Sequence, residues 1–404
     1  MTTSTQGRYI TDGAGLETLC KQLRSSRRIG LDTEFVGEES FVPKLELIQV
    51  AAQDVAAVID FPAVQANGSL APLWELICDP HVEKIVHAGR QDLDLFALHA
   101  GQLPKPFFDT QVAAAMLGFG AQVAYANLVQ RIHGTKLAKA HTFTNWSARP
   151  LSSEQISYAA EDVQFLLPLH THLQRRLEAL GRTEWVREEF SRLETAVTEK
   201  SKDPLERFQR IRGWDSLKPR QAAVLRDLAA WRETEARRRN VPRGRVMRDE
   251  VLLQLARHPP ATVEALRGLR GLHGAEVDRT GEQLIATIRA SLALPPSAWP
   301  QVLRDRKPEP ESIGLVELLQ AVLKARAAEA EIAPTLLATS ADLQALVEAK
   351  EKQRTPDLPV LRGWRRELVG DLLLQILNGA VTVSVDPVKG VLRMSAESNI
   401  TISQ

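Results

Sequence analysis

The amino-acid sequence predicts an α/β domain with a mixed sheet, followed by two all-α regions and a terminal β-hairpin. Three extended runs, at 28–35, 44–52 and 55–61, follow one another with short connections, which favours neighbouring antiparallel strands. Helical and extended patterns then alternate as far as residue 179, as they do in α/β domains. Beyond residue 217, apolar residues recur at helical spacing, and a strand pattern returns only at 380–394.

The first domain, predicted over residues 1–200, begins with a helix. Leu16, Leu19 and Leu23 recur at helical spacing and indicate a helix over 13–26. Gly101 is expected to end a later helix, and Asp109 or Thr110 to cap the one after it. The further elements predicted in this domain are a helix at 70–78, a strand at 82–88, a helix at 90–100, a short extended segment at 107–110, and helices at 111–118, 125–133 and 153–179.

Two segments read as linkers and divide the rest of the chain. The polar segment 199–213 contains Pro204 and Gly213, and the segment 295–311 contains five prolines. A small helical bundle is predicted over 207–293, with helices at 219–237, 248–257, 262–268 and 275–291. A third domain is predicted over 312–404, with helices at 312–330, 340–352 and 361–378 and a β-hairpin around residues 386–390.

The composition is that of an ordinary soluble globular protein. The chain has 404 residues and a formal net charge of +1, so two or three domains are expected. Cys20 and Cys78 lie in no metal-binding motif, which argues against zinc. No apolar run approaches the length of a membrane span, and residues 1–6 lack a signal core. We therefore expect a cytosolic protein without membrane contact, and we expect it to be a monomer.

Asp32 and Glu34 form the first chemical motif. They end a buried apolar run and are separated by one residue, so on a β-strand they project from the same face. Two carboxylates at the edge of a buried strand are unfavourable unless a cation neutralises them. A divalent metal ion bound by oxygen ligands would do so. A solvated surface pair is the alternative.

Two further acidic motifs follow. Asp92 lies one turn into the helix that follows the strand 82–88, and Asp94 lies on a different face of that helix. On the helix predicted over 153–168, Tyr158 and Asp162 are four residues apart and so share a face. A packed helix face that carries a carboxylate and a phenol is unusual unless the two side chains converge on a common site. For Tyr158 alone, a half-buried core tyrosine is the alternative.

Together the three motifs resemble those of the DEDDy 3′→5′ exonucleases. The sequence around them resembles bacterial ribonuclease D, and the likeness covers about residues 25–190. It is carried by Tyr125-Ala126-Asn127-Leu128 and Asn145-Trp146-Ser147-Ala148-Arg149-Pro150-Leu151. The resemblance implies a ribonuclease-H-like fold and metal ligation by Asp32, Glu34, Asp92 and Asp162. One departure is Gln91, which stands where the family often has Glu; that residue is not one of the four ligands.

Phosphodiester hydrolysis is a reaction that such a set of four carboxylates and a phenol can support. Two Mg²⁺ or Mn²⁺ ions about 4 Å apart would activate a water molecule and stabilise the departing 3′-oxygen. Asp32 is the natural bridging ligand, Glu34 and Asp162 would complete one site, and Asp92 would hold the other. The Tyr158 hydroxyl would orient the attacking water.

Four residues near these motifs are candidates for contact with the substrate. Phe35 either stacks on terminal bases or packs in the core. His87 ends a predicted buried strand, which favours a core histidine over a substrate contact. Trp146 and Arg149 either line the substrate groove or anchor their loop.

Residues 207–290 are basic, with 18 Lys and Arg against 10 Asp and Glu, a net charge of +8. The sequence Trp214-x-x-Leu217-Lys218-Pro219-Arg220-Gln221 resembles the helicase-and-RNase-D C-terminal (HRDC) domain, a helical nucleic-acid-binding module, and 312–378 resembles a diverged second copy. An arginine-rich segment, residues 237–248, is a candidate phosphate-backbone footprint. A solvated surface is the alternative. The candidate contacts in this segment are Arg237, Arg238, Arg239, Arg243 and Arg245.

Three functions fit these observations. The first is a 3′→5′ exoribonuclease that trims structured RNA, with tRNA precursors as the substrate that the resemblance implies. The second is a DNA exonuclease with the same catalytic residues, which would differ in how the site treats a 2′-hydroxyl. The third is a non-catalytic RNA-binding protein, which predicts the loss of a carboxylate. All four carboxylates and the tyrosine are present, so we rank it last.

Overall fold

The structure is a computed structural model that describes residues 7–137, 144–199, 204–301, 310–354 and 356–396. The chain divides into two compact units. One contains Met1–Thr33, Leu47–Val197 and Pro308–Gln404, and the other contains Glu34–Glu46 and Thr198–Lys307. Among the described residues, no helix combines the length and the apolar character that a bilayer span requires.

A six-stranded mixed sheet organises the first unit and confirms the predicted α/β class. The strands are β1 (Arg8–Ile10), β2 (Arg28–Val36), β3 (Lys44–Ala52), β4 (Val55–Asp60), β5 (Glu83–Val86) and β6 (Phe107–Asp109). Their spatial order is β1-β4-β3-β2-β5-β6. The pair β3–β4 is antiparallel, as the short connection predicts, whereas β1–β4, β2–β5 and β5–β6 are parallel. The unit boundary passes through β2 and β3, and the loop 37–43 between them belongs to the second unit.

Nine helices accompany this sheet in the described part of residues 7–199. The sequence prediction missed strand β1, the helix that follows β4 and the helix that begins at Thr183. The strand predicted over 55–61 ends one residue earlier, because Asp60 caps the following helix by accepting a hydrogen bond from the Ala63 amide. The helices are α1 (Gly13–Leu23), α2 (Phe61–Asn67), α3 (Ala71–Ile77), α4 (Arg90–Ala100), α5 (Thr110–Ala115), α6 (Tyr125–His133), α7 (Ser153–Gln164), α8 (Leu166–Ala179) and α9 (Thr183–Glu199).

The prediction of a single helix over 153–179 is wrong, because the helix is interrupted at Phe165 and divides into α7 and α8. Pro168 supplies the reason: it has no amide hydrogen to donate to the carbonyl of Gln164, four residues earlier. Helical periodicity continues on both sides of the break, which is why the apolar pattern alone suggests one helix.

The second unit is a helical bundle, as predicted for 219–291. Its helices are α10 (Pro219–Arg239), α11 (Arg243–Val246), α12 (Asp249–Arg257), α13 (Val263–Arg267) and α14 (Gly274–Leu292). The linker prediction for 199–213 is wrong over Pro204–Arg210, which forms a 3₁₀ helix whose Phe208 is buried in the bundle core. Residues 200–203, and residues 302–309 of the second predicted linker, lie outside the described part of the chain.

The C-terminal region belongs to the first unit and shares a hydrophobic core with the nuclease-like helices. It contains α15 (Pro310–Glu329), α16 (Pro334–Leu337), α17 (Ser340–Glu351), α18 (Gly363–Arg365), a π-helical turn at Arg366–Gly370, and α19 (Asp371–Leu377). The predicted hairpin is present as β7 (Val381–Val385) and β8 (Leu392–Ala396), which pair antiparallel.

Arg365 joins this region to α9. Its side chain is 3% exposed and makes ion pairs with Glu188 at 3.3 Å and Glu189 at 2.6 Å. Beside it, the rings of Trp185 and Trp364 stack with their centroids 5.0 Å apart. A buried guanidinium with two carboxylates and a stacked aromatic pair indicate that the two regions unfold together.

Replacing Arg365 with alanine should therefore destabilise the whole first unit by about 3 kcal/mol, because the Glu189 carboxylate loses its partner inside the protein. Equilibrium urea unfolding, followed by circular dichroism, measures the change. Arg362→Ala is the matched control, since Arg362 pairs with Asp357 on the surface and is 65% exposed. Equal stability of the two variants would contradict the role given to Arg365.

Candidate active site

Strand β2 and helix α7 bring three of the predicted acids together. Asp32 and Glu34 lie on the same face of β2, and Asp162 lies in the last turn of α7. One carboxylate oxygen from each of the three lies within 4.8 Å of the other two. All three residues are partly buried, which argues against a fully solvated surface pair.

Gly30 permits this close approach of helix to strand. It lies two residues before Asp32 on the same face of β2. A Cβ atom at Gly30 would lie 3.1 Å from the Leu166 side chain and 3.3 Å from the Val163 carbonyl oxygen, at the break between α7 and α8. A residue without a side chain therefore eases the approach where the helix break meets the strand.

Asp92 lies outside the group of three and is hydrogen-bonded to the strand that carries two of them. It is in the first turn of α4, is 7% exposed and accepts a hydrogen bond from the Thr33 hydroxyl. Thr33 is the residue between Asp32 and Glu34. Strand β5, which precedes α4, is a direct neighbour of β2, so the sheet order brings the second motif beside the first.

The buried carboxyl groups resist ionisation in the absence of a cation. Burial raises the pKa of Asp162 to about 7, with a further increase from the negative charge of Glu161. Burial likewise raises the pKa of Asp92 to about 6, and the hydrogen bond from Thr33 opposes that shift. A divalent cation would remove this penalty, since it favours the charged forms of its ligands. The donor set therefore fits a hard metal ion.

Tyr158 lies one helical turn before Asp162 on α7 and is half-buried. Its ring packs against Trp146, with the centroids 6.3 Å apart and the planes 28° apart. Both rings belong to a small apolar cluster that also contains Leu47, Leu151 and Ala159. The phenol is thus on the acidic face of the helix, and its ring is held by packing.

Arg149 is engaged by the protein in a way that supports the loop-anchor interpretation. Its guanidinium forms an ion pair with Asp60 and donates hydrogen bonds to the carbonyl oxygens of Trp146 at 2.6 Å and Ala148 at 2.9 Å. Asp60 is almost fully buried and also accepts a hydrogen bond from Tyr9. Burial acts to raise the pKa of Asp60, but the hydrogen bonds from Arg149 and Tyr9 outweigh it and hold the pKa below its usual range.

His87 and Phe35 differ in how far the structure engages them. His87 is within hydrogen-bond distance of the Thr110 hydroxyl at 2.9 Å and of the Val123 carbonyl oxygen at 3.0 Å. Both ring nitrogens therefore have partners within the fold, which favours a core histidine. Phe35 follows Glu34 on β2 and is partly exposed, which suits either stacking on a base or packing.

Two supporting residues were missed as functional residues by the sequence analysis. The carboxylate of Asp109 accepts hydrogen bonds from the amides of Ala88 and Gly89, and so fixes the turn that leads into α4 and Asp92. Asp109 also caps α5, which was one of the two predicted caps. The hydroxyl of Tyr125 is hydrogen-bonded to backbone groups at the break between α7 and α8, next to Asp162 in the sequence. Its only sequence signal is the family resemblance.

Several arginines of the arginine-rich segment form ion pairs within the second unit. Arg239 is 12% exposed and pairs with Glu235 and with Glu276, and Arg243 pairs with Glu233. Arg238 and Arg245 are 66% and 59% exposed, although each also has a carboxylate partner. The guanidiniums of Arg237 and Arg243 lie 5.4 and 4.6 Å from the ring centroid of Phe41, in the loop 37–43.

Two family models match separate parts of the chain. One is described as a 3′-5′ exonuclease and matches residues 8–178. The other is described as an HRDC domain and matches residues 221–288. The first match contains all four predicted ligands and Tyr158, and the second contains the arginine-rich segment.

Curated proteins named ribonuclease D are similar over nearly the whole chain. The one from Granulibacter bethesdensis is 41% identical over 382 residues, which cover 93% of this chain and 94% of that protein. The one from Pseudomonas paraeruginosa is 37% identical, and the match covers 94% of this chain and 99% of that protein. The crystal structure of Escherichia coli RNase D, described as an exoribonuclease involved in structured RNA processing, has a TM-score of 0.81 at 31% identity. It covers 92% of this chain and 99% of that one.

The raised pKa values predict how the stability of the metal-free protein depends on pH. Asp92 and Asp162 have pKa values of about 6 and 7 in the folded state, against an ordinary value of 3.8. The folded protein therefore holds these protons to higher pH than the unfolded chain does. The free energy of unfolding in EDTA should fall as the pH rises from about 4 to 7.

Asp162→Asn separates this effect from other titrating groups, because an amide does not ionise. Between pH 5 and pH 8 the variant should lose less stability than the parent protein, by on the order of 2 kcal/mol after allowance for solvent screening. Urea unfolding at both pH values gives the difference. Parallel pH profiles for the two proteins would show that Asp162 does not carry the shift.

Proposed function

The chain belongs to the ribonuclease D family of 3′→5′ exoribonucleases, and from that premise we propose that it trims the 3′ ends of tRNA precursors with two Mg²⁺ or Mn²⁺ ions held by Asp32, Glu34, Asp92 and Asp162. The membership itself makes the chain a hydrolase that acts on RNA. The proposal concerns the substrate, the metal ions and the role of each residue.

The observation that carries the proposal is the meeting of Asp32, Glu34 and Asp162 within 4.8 Å. These acids come from places 130 residues apart in the sequence, yet their oxygens are as close as ligands of one ion. Separate charged carboxylates would repel one another at this distance in a partly buried pocket. An arrangement of this kind is stable at neutral pH when a cation is bound.

When bound, the two ions supply an activated water and neutralise charge on the leaving 3′-oxygen. Asp32, Glu34 and Asp162 would hold the ions, because their carboxylate oxygens lie together. Asp92 would hold the second site, and the hydrogen bond from the Thr33 hydroxyl fixes the orientation of its carboxylate. The Tyr158 hydroxyl, on the face of α7 that carries Asp162, orients the attacking water.

The HRDC domain supports the choice of a structured RNA. In its segment 237–248, Arg238 and Arg245 are largely exposed, so their guanidinium groups are accessible to a phosphate backbone. We also propose that the protein works as a monomer in the cytosol, where tRNA precursors are made. Its two cysteines are free thiols, which suits a reducing compartment.

Asp32→Asn and Asp162→Asn should each lower the rate of nucleotide removal by about 10³, because several kcal/mol of transition-state stabilisation are lost with a metal ligand. Tyr158→Phe should lower the rate by about 10² and leave metal binding intact. The measurement is stepwise shortening of a tRNA precursor labelled at its 5′ end, with Mg²⁺, with Mn²⁺ and with EDTA.

Asp94→Asn is the matched control for these variants. Asp94 lies two residues after Asp92 on α4 and is not one of the three clustered acids. Its substitution should leave the rate within about twofold of the parent. An equal loss in Asp94→Asn would undermine the assignment of ligands, and faster loss of nucleotides from matched DNA would favour the DNA exonuclease instead.

Removing Arg238 and Arg245, two of the exposed arginines of this segment, should weaken RNA binding in a salt-dependent way. The double variant Arg238→Gln with Arg245→Gln should reduce the slope of log K against log salt by about 2, since each lost phosphate contact releases about one counterion fewer. Binding is measured in EDTA at several salt concentrations. Arg267→Gln with Arg270→Gln removes the same charge from exposed arginines elsewhere in this domain. Identical slopes for the two double variants would mean that the segment is only surface.

A further inference from the structure

We propose that Tyr125 is a positioning residue for Asp162: its hydroxyl keeps the helix broken at Phe165 and thereby sets where this carboxylate meets Asp32 and Glu34. The proposal rests on the proposed function, since it assigns a support to one of the ligands. It adds a residue that is neither a ligand nor a contact of the substrate.

The Tyr125 hydroxyl occupies the place of a helical hydrogen bond. It donates to the carbonyl oxygen of Glu161 at 3.2 Å and accepts from the amide of Phe165 at 3.0 Å. Glu161 and Phe165 are four residues apart, so in a continuous α-helix the amide would donate directly to that carbonyl. The phenol is therefore inserted between backbone groups that are hydrogen-bonded in a continuous helix. Such an insertion is one of the few causes of a sharp kink in a helix.

Pro168 and the inserted phenol act on the same turn. The proline removes the hydrogen bond that the Gln164 carbonyl would accept. The phenol stands between the Glu161 carbonyl and the Phe165 amide, in place of the direct hydrogen bond that a continuous helix would have there. In the broken conformation the backbone groups at this turn cannot all pair with one another, and an unsatisfied polar group inside the protein is costly. Tyr125 satisfies two of them with one hydroxyl, so that the broken conformation is held rather than merely allowed.

Asp162 is the residue next to the inserted contact. It immediately follows Glu161, whose carbonyl oxygen Tyr125 binds. Burial raises the pKa of Tyr125, the hydrogen bond from the Phe165 amide opposes that shift, and the negative charges of Asp162 and Asp32 add to the increase. The hydroxyl thus reaches the backbone next to one of the clustered acids.

Gly30 provides an independent observation at the same place. The space that a Cβ atom of Gly30 would need is taken by Leu166 and the Val163 carbonyl, both within three residues of Phe165. The break therefore sits directly against the face of β2 that carries Asp32 and Glu34. A helix that ran straight through this point would hold Asp162 in a different position against the strand.

The three tyrosines of the chain allow a matched experiment, because each can lose only its hydroxyl. Tyr125→Phe should permit the direct hydrogen bond from Phe165 to Glu161 and shift Asp162. We expect Mn²⁺ to bind the protein about tenfold more weakly and the rate at fixed metal to fall, since the loss of a residue that orients a metal ligand commonly costs about 10- to 100-fold in affinity. Mn²⁺ binding is measured by calorimetry at pH 8, without RNA, and thermal unfolding confirms that the variant is folded.

The other two hydroxyl deletions are the controls. Tyr9→Phe removes a hydroxyl that is bonded to buried Asp60, so it should alter stability and leave the affinity for Mn²⁺ unchanged. Tyr158→Phe should lower the rate and leave the affinity unchanged. If Tyr125→Phe binds Mn²⁺ within about twofold of the parent, the positioning role is wrong.

Pro168→Ala is a second variant for the case that Tyr125→Phe folds poorly. Alanine supplies the missing amide, so the helix can close across residues 164–168, and the same loss of Mn²⁺ affinity is expected. Unchanged affinity in this variant would contradict the proposal. Failure of the proposed function is distinguishable, because Asp162→Asn would then bind Mn²⁺ as tightly as the parent.

Discussion

The close approach of the acidic side chains is the constraint on which the rest of this structure depends. Three carboxylates within 4.8 Å, in a pocket that also raises the pKa of Asp162 to about 7, are favourable only with protons or cations present. The fold therefore holds an arrangement that is destabilising by itself, and the energy for it comes from the packed sheet and helices around it. Function and stability are opposed at this point, as is common at sites that bind metal ions.

Each carboxylate is fixed by a different structural device. The period of two in β2 aligns Asp32 with Glu34, while Thr33 on the same strand holds Asp92 in the first turn of α4. Asp109 fixes the turn before that helix. Asp162 depends on a broken helix, for which Gly30 leaves the space. The site is therefore supported by a shell of neutral and charged side chains, none of which would be identified as catalytic by its own chemistry.

The two helical regions relate to function in different ways. The C-terminal region shares its core with the nuclease-like helices, and buried Arg365 secures the contact, so it contributes to the stability of the catalytic unit. The HRDC domain carries a net charge of +8, but Glu233, Glu235 and Glu276 neutralise several of its arginines within the domain. A count of charges along the sequence thus overstates the charge available to RNA.

Elements with local signals could be predicted from the order of residues alone. The strand period places Asp32 with Glu34, the helix period places Tyr158 with Asp162, and the family motifs add Asp92. Even the break at Phe165 had a local signal in Pro168, which the apolar periodicity outweighed. Only the tertiary structure decided that β5 lies beside β2, that Arg149 pairs with Asp60, and that Tyr125 enters the helix backbone at Glu161. The physical reason is that these contacts join residues 36 to 89 positions apart, where the pairing depends on how whole elements pack and leaves no periodic trace in the chain.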